Sequence, residues 1–354
     1  MVPIPPDARQ RRGHAVTRAD RARRLAIGVD VGGTTVSGGV VDEDGRVIAD
    51  LQQPTHARGP GSAEATIVEL VERVTRTAGV DVADVAGVGV GVPGLVDSAK
   101  GVVGPEAPHV PELAGRPLAH VIATRFGVPA FVDNDVNALA LAEWCFGAGR
   151  GAHSLVVLAA GTGFGSGIVL DGMLVRGARG VGAEFGHAPV KFDGRPCWCG
   201  GRGCLAVYAS GRGVAEAARA RVARDRDSAL LREAGGDPAG ITAAAVFAAA
   251  ERGEPAAEAV VDEACRALGA MIAVVVNGLN PEVVVVTGGV AASYARLERR
   301  VLAAAGDHAL ARALADTRVV IVPGDKRVTM RGAAALVFYE LARGATAGAT
   351  RRPS

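Results

Sequence analysis

The chain has 354 residues, of which 49% are hydrophobic and only 4% aromatic, with 49 glycines and a formal net charge of +2 at pH 7. That length passes the roughly 250–300 residues at which a single core stops growing, so two lobes are expected. The near-balanced charge gives no reason to expect a nucleic-acid partner, and no run reaches the roughly 18 uncharged apolar residues of a membrane span, so a soluble, cytoplasmic protein is expected.

Residues 1–24 hold seven arginines (9, 11, 12, 18, 21, 23 and 24) and no apolar pattern, which reads as a disordered arm. Arg11-Arg12 is no export signal, because the next apolar segment, Leu25 to Val31, is short and contains Asp30. That segment reads as a buried strand entering the turn Gly32-Gly33-Thr34-Thr35, followed by a hairpin of Val36–Val41 and Val47–Leu51 around Asp44-Gly45. Ile67, Leu70, Val71 and Val74 form a helical stripe within 62–78, and Val85 to Val92 is the next strand, ending at Pro93-Gly94. A helix near 117–126 and a strand Ala130–Asp133 complete the first lobe.

The second half repeats this grammar. A strand His153–Ala160 runs into Gly161-Thr162-Gly163, and Ile168–Val175 folds as a hairpin around Asp171-Gly172. Helices over 207–223 and 256–278, a strand Glu282–Val286 into Thr287-Gly288-Gly289, a helix from Tyr294, a strand Val319–Val322 and a helix over 331–343 follow. The expected lobes are 25–133 with a C-terminal helix at about 328–344, and 134–327, with a loose tail over 345–354.

Each Gly/Thr turn follows a strand and exposes successive backbone N–H groups, which can cradle phosphate oxygens without side-chain bulk. Two such turns point to a nucleotide between two lobes. Asp30 would hold Mg²⁺ through water, while Gly33 and Thr34 contact phosphate. The absence of Gly-x₄-Gly-Lys-Ser/Thr excludes a P-loop, and no Gly-x-Gly-x-x-Gly opens a helix after the first strand.

Asp133-Asn134-Asp135-Val-Asn137 begins a helix directly after a strand. An N-cap accounts for one of these polar residues, not for four in five positions. Asp135 is therefore the candidate general base, taking the proton of a substrate hydroxyl as its oxygen attacks a phosphoryl group. Further on, His187, Cys197, Cys199 and Cys204 are separated by nine, one and four residues, with glycines that let the chain wrap an ion; the spacing fits a closed tetrahedral zinc site. Cys145 and Cys265 lie in apolar helical patterns and read as core.

Taken in order, Asp30-x-Gly-Gly-Thr, Gly91-Val-Pro-Gly94, Asn134-Asp135, Gly161-Thr-Gly163, Glu184-x-Gly-His187 and Cys197-x-Cys-x₄-Cys204 span nearly the whole chain. They closely resemble the ROK family of bacterial sugar kinases, repressors and open reading frames, in particular its ATP-dependent glucokinases. The resemblance implies a two-lobed actin-like (ribonuclease H-like) α/β ATPase fold with a central cleft. It implies transfer of the ATP γ-phosphoryl group to the 6-hydroxyl of glucose or a related hexose. The cofactors implied are Mg²⁺ and a structural Zn²⁺, and the assembly a homodimer or homotetramer.

In that frame Asp135 deprotonates the sugar hydroxyl. Asn134, Asp135, Glu184, His187, Gly94 and His109 form the sugar site, and His187 serves both zinc and sugar. Asp30, Gly32, Gly33, Thr34, Thr35, Gly161, Thr162 and Gly163 face ATP, and Gly288 and Gly289 line the adenosine pocket. Three positions depart from the family pattern: Ala206 where a sugar-contacting Glu is usual, His109 for Asn, and Asp133 for Glu. A lost carboxylate acceptor costs roughly 1.5–3 kcal/mol per charge-assisted bond. Two alternatives accompany the glucokinase reading. One is an amino- or N-acetyl-hexose kinase; the other is a sugar-sensing regulator without its DNA-binding domain, for which the arm preceding the first strand is too short to supply one.

Overall fold

A computed structural model describes residues 24–107, 109–223 and 228–350. The arginine-rich arm, save Arg24, lies outside these residues. In chain order the elements begin β1 (Leu25–Val31), β2 (Thr35–Asp42), β3 (Val47–Pro54), α1 (Ala63–Ala78), β4 (Val88–Val92), β5 (Val96–Asp97) and β6 (Val102–Val103). They continue with α2 (Leu118–Phe126), β7 (Ala130–Asn134), α3 (Asp135–Phe146), β8 (Leu155–Ala160), β9 (Phe164–Leu170) and β10 (Met173–Leu174). Five helices follow: α4 (Ala206–Ala209), α5 (Gly211–Val222), α6 (Ala229–Glu233), α7 (Ala243–Glu251) and α8 (Pro255–Leu279). The chain closes with β11 (Val283–Thr287), α9 (Ala291–Arg296), α10 (Glu298–Gly306), α11 (Ala311–Asp316), β12 (Arg318–Ile321) and α12 (Lys326–Thr350). No helix among the described residues is long and apolar enough to cross a membrane.

Two five-stranded sheets carry the same logic, with orders β3-β2-β1-β4-β7 and β10-β9-β8-β11-β12. In the first, a hairpin-led antiparallel trio pairs through β1 with the parallel strands β4 and β7. In the second, β11 lies parallel to both β8 and β12. The duplication legible in the sequence thus appears as repeated topology. Among the described residues the chain separates into one compact unit within 24–153, 168–182 and 326–350 and another within 154–167 and 183–325. This division differs from a boundary drawn between Asp133 and Asn134, because α3 packs against α12 and stays with the first sheet.

In the first unit, α1 covers one sheet face through Ile67, Leu70, Val71 and Val74, all fully buried with Ile27, Val29, Val36 and Val90. Each such side chain contributes about 1.5–3 kcal/mol by leaving water. The other face is covered by α12, whose Met330, Ala334, Val337 and Phe338 pack on Ala26 and Val41. Contact there is possible only because Gly28 and Gly89 lack side chains: a Cβ would lie 2.0 Å from the Met330 carbonyl oxygen at Gly28 and 1.8 Å from that of Ala333 at Gly89.

Several element boundaries differ from the sequence reading for local reasons. The helix expected over 207–223 breaks at Ser210, whose backbone is extended; its hydroxyl donates to the Ala206 carbonyl (2.6 Å) and accepts the Gly213 N–H (3.0 Å), ending α4 and capping α5. The helix expected from Tyr294 begins at Ala291 and divides at Leu297. The final helix runs to Thr350, past the expected start of a loose tail at 345.

Candidate functional site

Register places the first group of predicted residues. Asp30 pairs with Gly91, and Gly91 with Asp133, so these three stand in a row across the parallel strands β1, β4 and β7. The next step on β7 is Asn134, and the chain turns there into α3. Carboxyl ends of parallel strands are where open α/β sheets present ligands. Gly91 lies close beneath this turn: a Cβ on it would be 3.3 Å from the Asp135 Cα and 3.5 Å from the Ala138 Cβ.

Asn134 caps α3, its side-chain oxygen accepting the N–H groups of Val136 (2.9 Å) and Asn137 (3.2 Å) while its amide donates to the Gly94 carbonyl (3.0 Å). Asp135 opens the helix, and its Oδ1 accepts the Val136 N–H at 2.9 Å. Asp133 is buried; its Oδ1 accepts from the Asn134 N–H (2.8 Å) and the Asn137 amide (2.9 Å), and its Oδ2 from Arg176 Nε (2.6 Å). Burial, and secondarily the nearby Asp135 carboxylate, raise the Asp30 pKa to about 7.

The adjoining glycine turn is tight, with the Gly32 N–H donating to the Thr35 carbonyl at 2.9 Å. Thr55, which sequence reasoning missed, braces it: its hydroxyl donates to the Gly32 carbonyl (2.6 Å) and its N–H to that of Thr34 (3.0 Å). Gly33 lies beneath His109, whose Cβ and carbonyl oxygen would each be 3.1 Å from a Cβ on the glycine. The loop after His109 is tied down by His56 Nε2 and Glu112 Oε1, 2.5 Å apart. Asp30, Gly32, Gly33, Thr34, Thr35, Gly94, His109, Asn134 and Asp135 thus all belong to the first unit.

The remaining predicted residues belong to the second unit. After β8, Gly161 donates its N–H to the Gly163 carbonyl (3.0 Å), leaving Thr162 and Gly163 exposed. The carbonyls of Gly161 and Thr162 accept the N–H groups of Gly211 (2.8 Å) and Arg212 (3.0 Å) at the start of α5. Gly288, with φ +106°, packs against Ala160, whose carbonyl oxygen would lie 2.5 Å from a Cβ there, so the turn at Gly288-Gly289 adjoins the one at Gly161-Gly163.

Glu184 precedes and His187 ends a single 3-10 turn, Phe185–His187, that lies directly on the start of β9: a Cβ at Gly186 would be 1.9 Å from the Phe164 carbonyl oxygen. Ser166 pins its entry, donating to the Ala183 carbonyl and accepting the Phe185 N–H at 2.9 Å. Its only sequence signal was membership of the glycine-rich run 161–167. Desolvation raises the Glu184 pKa, and His187 beside it pulls the other way.

His187, Cys197, Cys199 and Cys204 converge, with ligand atoms all within 4.8 Å of one another. His187 Nδ1 and Cys197 Sγ are 3.7 Å apart, and Cys199 and Cys204 Sγ 3.8 Å apart. A zinc tetrahedron with bonds of about 2.3 Å has sulfur–sulfur edges of roughly 3.8 Å, so the donor set and its spacing fit that ion. Nδ1 is the ring atom turned to the thiols. Gly203, with φ +71°, lets the strand-like returns close, a Cβ there falling 1.6 Å from the Lys191 carbonyl oxygen. Burial first, then Cys197 and Cys199, push the Cys204 thiol up to about 12.

Comparison with known proteins matches residues 26–340 to the ROK family. The glucokinase of Thermotoga maritima is 36% identical over 264 residues, covering 75% of this chain and 81% of that one. A ROK family glucokinase from Streptomyces griseus, solved in complex with glucose and AMPPNP, superposes with a TM-score of 0.70 at 33% identity, covering 88% of this chain and 98% of that one. A ROK hexokinase from Thermus thermophilus gives a TM-score of 0.74 at 30% identity, covering 90% and 100% respectively.

Proposed function

The chain belongs to the ROK family and has its two-lobed actin-like ATPase fold, and from that premise we propose an ATP-dependent hexose kinase. The reaction is transfer of the ATP γ-phosphoryl group to the 6-hydroxyl of glucose or a related hexose, giving the sugar 6-phosphate and ADP. One observation carries the residue-level reading: Asp135 stands at the head of α3, beside Asp30 and over Gly91, braced on both sides by capped and buried polar neighbours.

In the proposed mechanism Asp135 accepts the proton of the sugar 6-hydroxyl as that oxygen attacks the γ-phosphorus and the β–γ bridge breaks toward ADP. Asn134, Gly94, His109 and Glu184 position the sugar, and His187 presents Nε2 to it while Nδ1 faces the thiols. Backbone N–H groups of Gly33 and Thr34 and of Thr162 and Gly163 hold phosphate oxygens, in turns closed by the Gly32 and Gly161 N–H groups, and Gly288 and Gly289 border the adenosine. Mg²⁺, when bound, would neutralise phosphate charge near Asp30, a site for which a desolvated carboxylate beside a second one is suited. His187, Cys197, Cys199 and Cys204 would hold a structural Zn²⁺ that fixes the orientation of the His187 ring. The thiolate ligands suit the reducing cytoplasm, and self-association into a homodimer or homotetramer goes with the family resemblance.

Ala206, fully buried at the start of α4, supplies no carboxylate to the anomeric end of a sugar, which favours a second substrate reading, an amino- or N-acetyl-hexose. Purified protein with MgATP and a hexose panel, monitored by ADP release, tests both. Release with glucose or mannose supports the first reading, release confined to 2-amino or 2-acetamido sugars the second, and none with any hexose contradicts the kinase assignment.

A further inference from the structure

We propose that Arg176 is a positioning residue for phosphoryl transfer: by clamping Asp133 against Glu340 it fixes the turn that carries Asp135. The inference rests on the reading of Asp135 as the base.

Arg176 follows β10 on a segment that belongs to the first unit. Its Nε donates to Asp133 Oδ2 at 2.6 Å and its Nη2 to Glu340 Oε1 on α12. The three side chains are 16%, 2% and 22% exposed, so water replaces none of these bonds cheaply. Burial works against the guanidinium charge, but Asp133 and Glu340 more than offset it and raise its pKa. The group is seated on the Tyr339 ring, 5.7 Å from its centroid, and the Tyr339 hydroxyl accepts the Leu174 N–H at 2.8 Å, two residues before the arginine. Arg176 also accepts the Gly182 N–H through its own carbonyl at 2.9 Å, closing the loop behind it.

What Arg176 holds decides its role. The other Asp133 oxygen accepts from the Asn134 backbone and the Asn137 side chain, the residues on either side of Asp135 in the first helical turn. A free Asp133 carboxylate in this buried place would have to reorient or take up a proton, and either change alters the two bonds that hold that turn. A displacement of about 1 Å at a reacting group is enough to slow a reaction roughly a hundredfold. A pair serving stability alone would lower melting temperature without a selective effect on kcat.

The test is Arg176→Ala in the full chain, assayed for ADP release with MgATP and its best hexose. The expected result is a kcat lowered about ten- to a hundredfold, a sugar KM changed less than about threefold, and recovery of several-fold in kcat on adding millimolar methylguanidinium, which refills the gap between Asp133 and Glu340. Arg176→Lys, which keeps the charge but not the planar guanidinium fork, is expected to retain an intermediate kcat that methylguanidinium leaves unchanged. A folded Arg176→Ala protein with near-normal kcat overturns the proposal, and so does a loss that methylguanidinium does not relieve. Should Arg176→Ala fail to fold, Arg176→Lys with kcat within about twofold of the parent does the same. Asp135→Asn in the same assay separates the premises: turnover there removes the base reading, whereas its silence together with methylguanidinium-responsive Arg176→Ala supports both.

Discussion

Asp30 is a desolvated carboxylate close to Asp135, and its protonation makes the cation role proposed for it measurable. Burial and the neighbouring Asp135 raise its pKa from 3.8 to about 7, so the folded chain binds this proton more tightly than the unfolded chain does. Its contribution to stability is therefore fully present below about pH 4 and is lost as pH rises toward 7. Asp30→Asn is expected to be more stable than the parent at pH 8 in EDTA, by at most roughly 4 kcal/mol, with the difference closing toward pH 4 in thermal melts. Mg²⁺ should raise the melting temperature of the parent and not of the variant; equal responses would remove Asp30 from the cation site. Cys199 offers a second test at this scale. Cys199→Ser should drop bound zinc from about one per chain to near zero by metal analysis and weaken hexose binding about tenfold or more, since the same cluster holds His187. Undiminished zinc would show the metal elsewhere.

Among the elements, glycines prove to do more than turn the chain. Gly186 reads as part of a motif in the sequence, yet it lets the 3-10 turn at Phe185–His187 lie on β9, as Gly28 and Gly89 let α12 lie on β1 and β4. Close approach leaves no pattern in one sequence, because the partner carbonyl at Phe164 is 22 positions from Gly186 in chain numbering and carries no side-chain signature. Gly186→Ala is expected to shift that turn, raising sugar KM about tenfold or more with ATP KM little changed, at a stability cost of roughly 1–3 kcal/mol. Unaltered sugar KM would detach the turn from the sugar. Strands, by contrast, were readable, since buried valine runs ending in Gly/Thr have few other uses. The short helix α7, an alanine-rich segment without a polar face, and the two-residue strands β5 and β6 offered no period to read.

Across the whole molecule, legibility follows sequence distance. The candidate zinc ligands are legible because three of them lie within eight residues, and the repeated strand-turn-hairpin because each copy is contiguous. Arg176, Asp133 and Glu340 leave no joint signal in the sequence, Arg176 being 43 positions from Asp133 and 164 from Glu340, and only folding reveals that the last helix is tied through Arg176 to the turn that carries Asp135. The strand order recurring in both sheets gives each unit its own glycine turns. Ligand binding to such a protein should appear as stabilisation by mass action, roughly 2.7 kcal/mol at a hundredfold excess over Kd. The decisive measurement is single-turnover phosphorylation of the best hexose by Asp135→Asn, alongside its equilibrium binding of that sugar. Turnover slowed by about three orders of magnitude or more with sugar affinity within a few-fold of the parent is expected. Normal turnover, or loss explained wholly by failed sugar binding, would contradict a general base at Asp135.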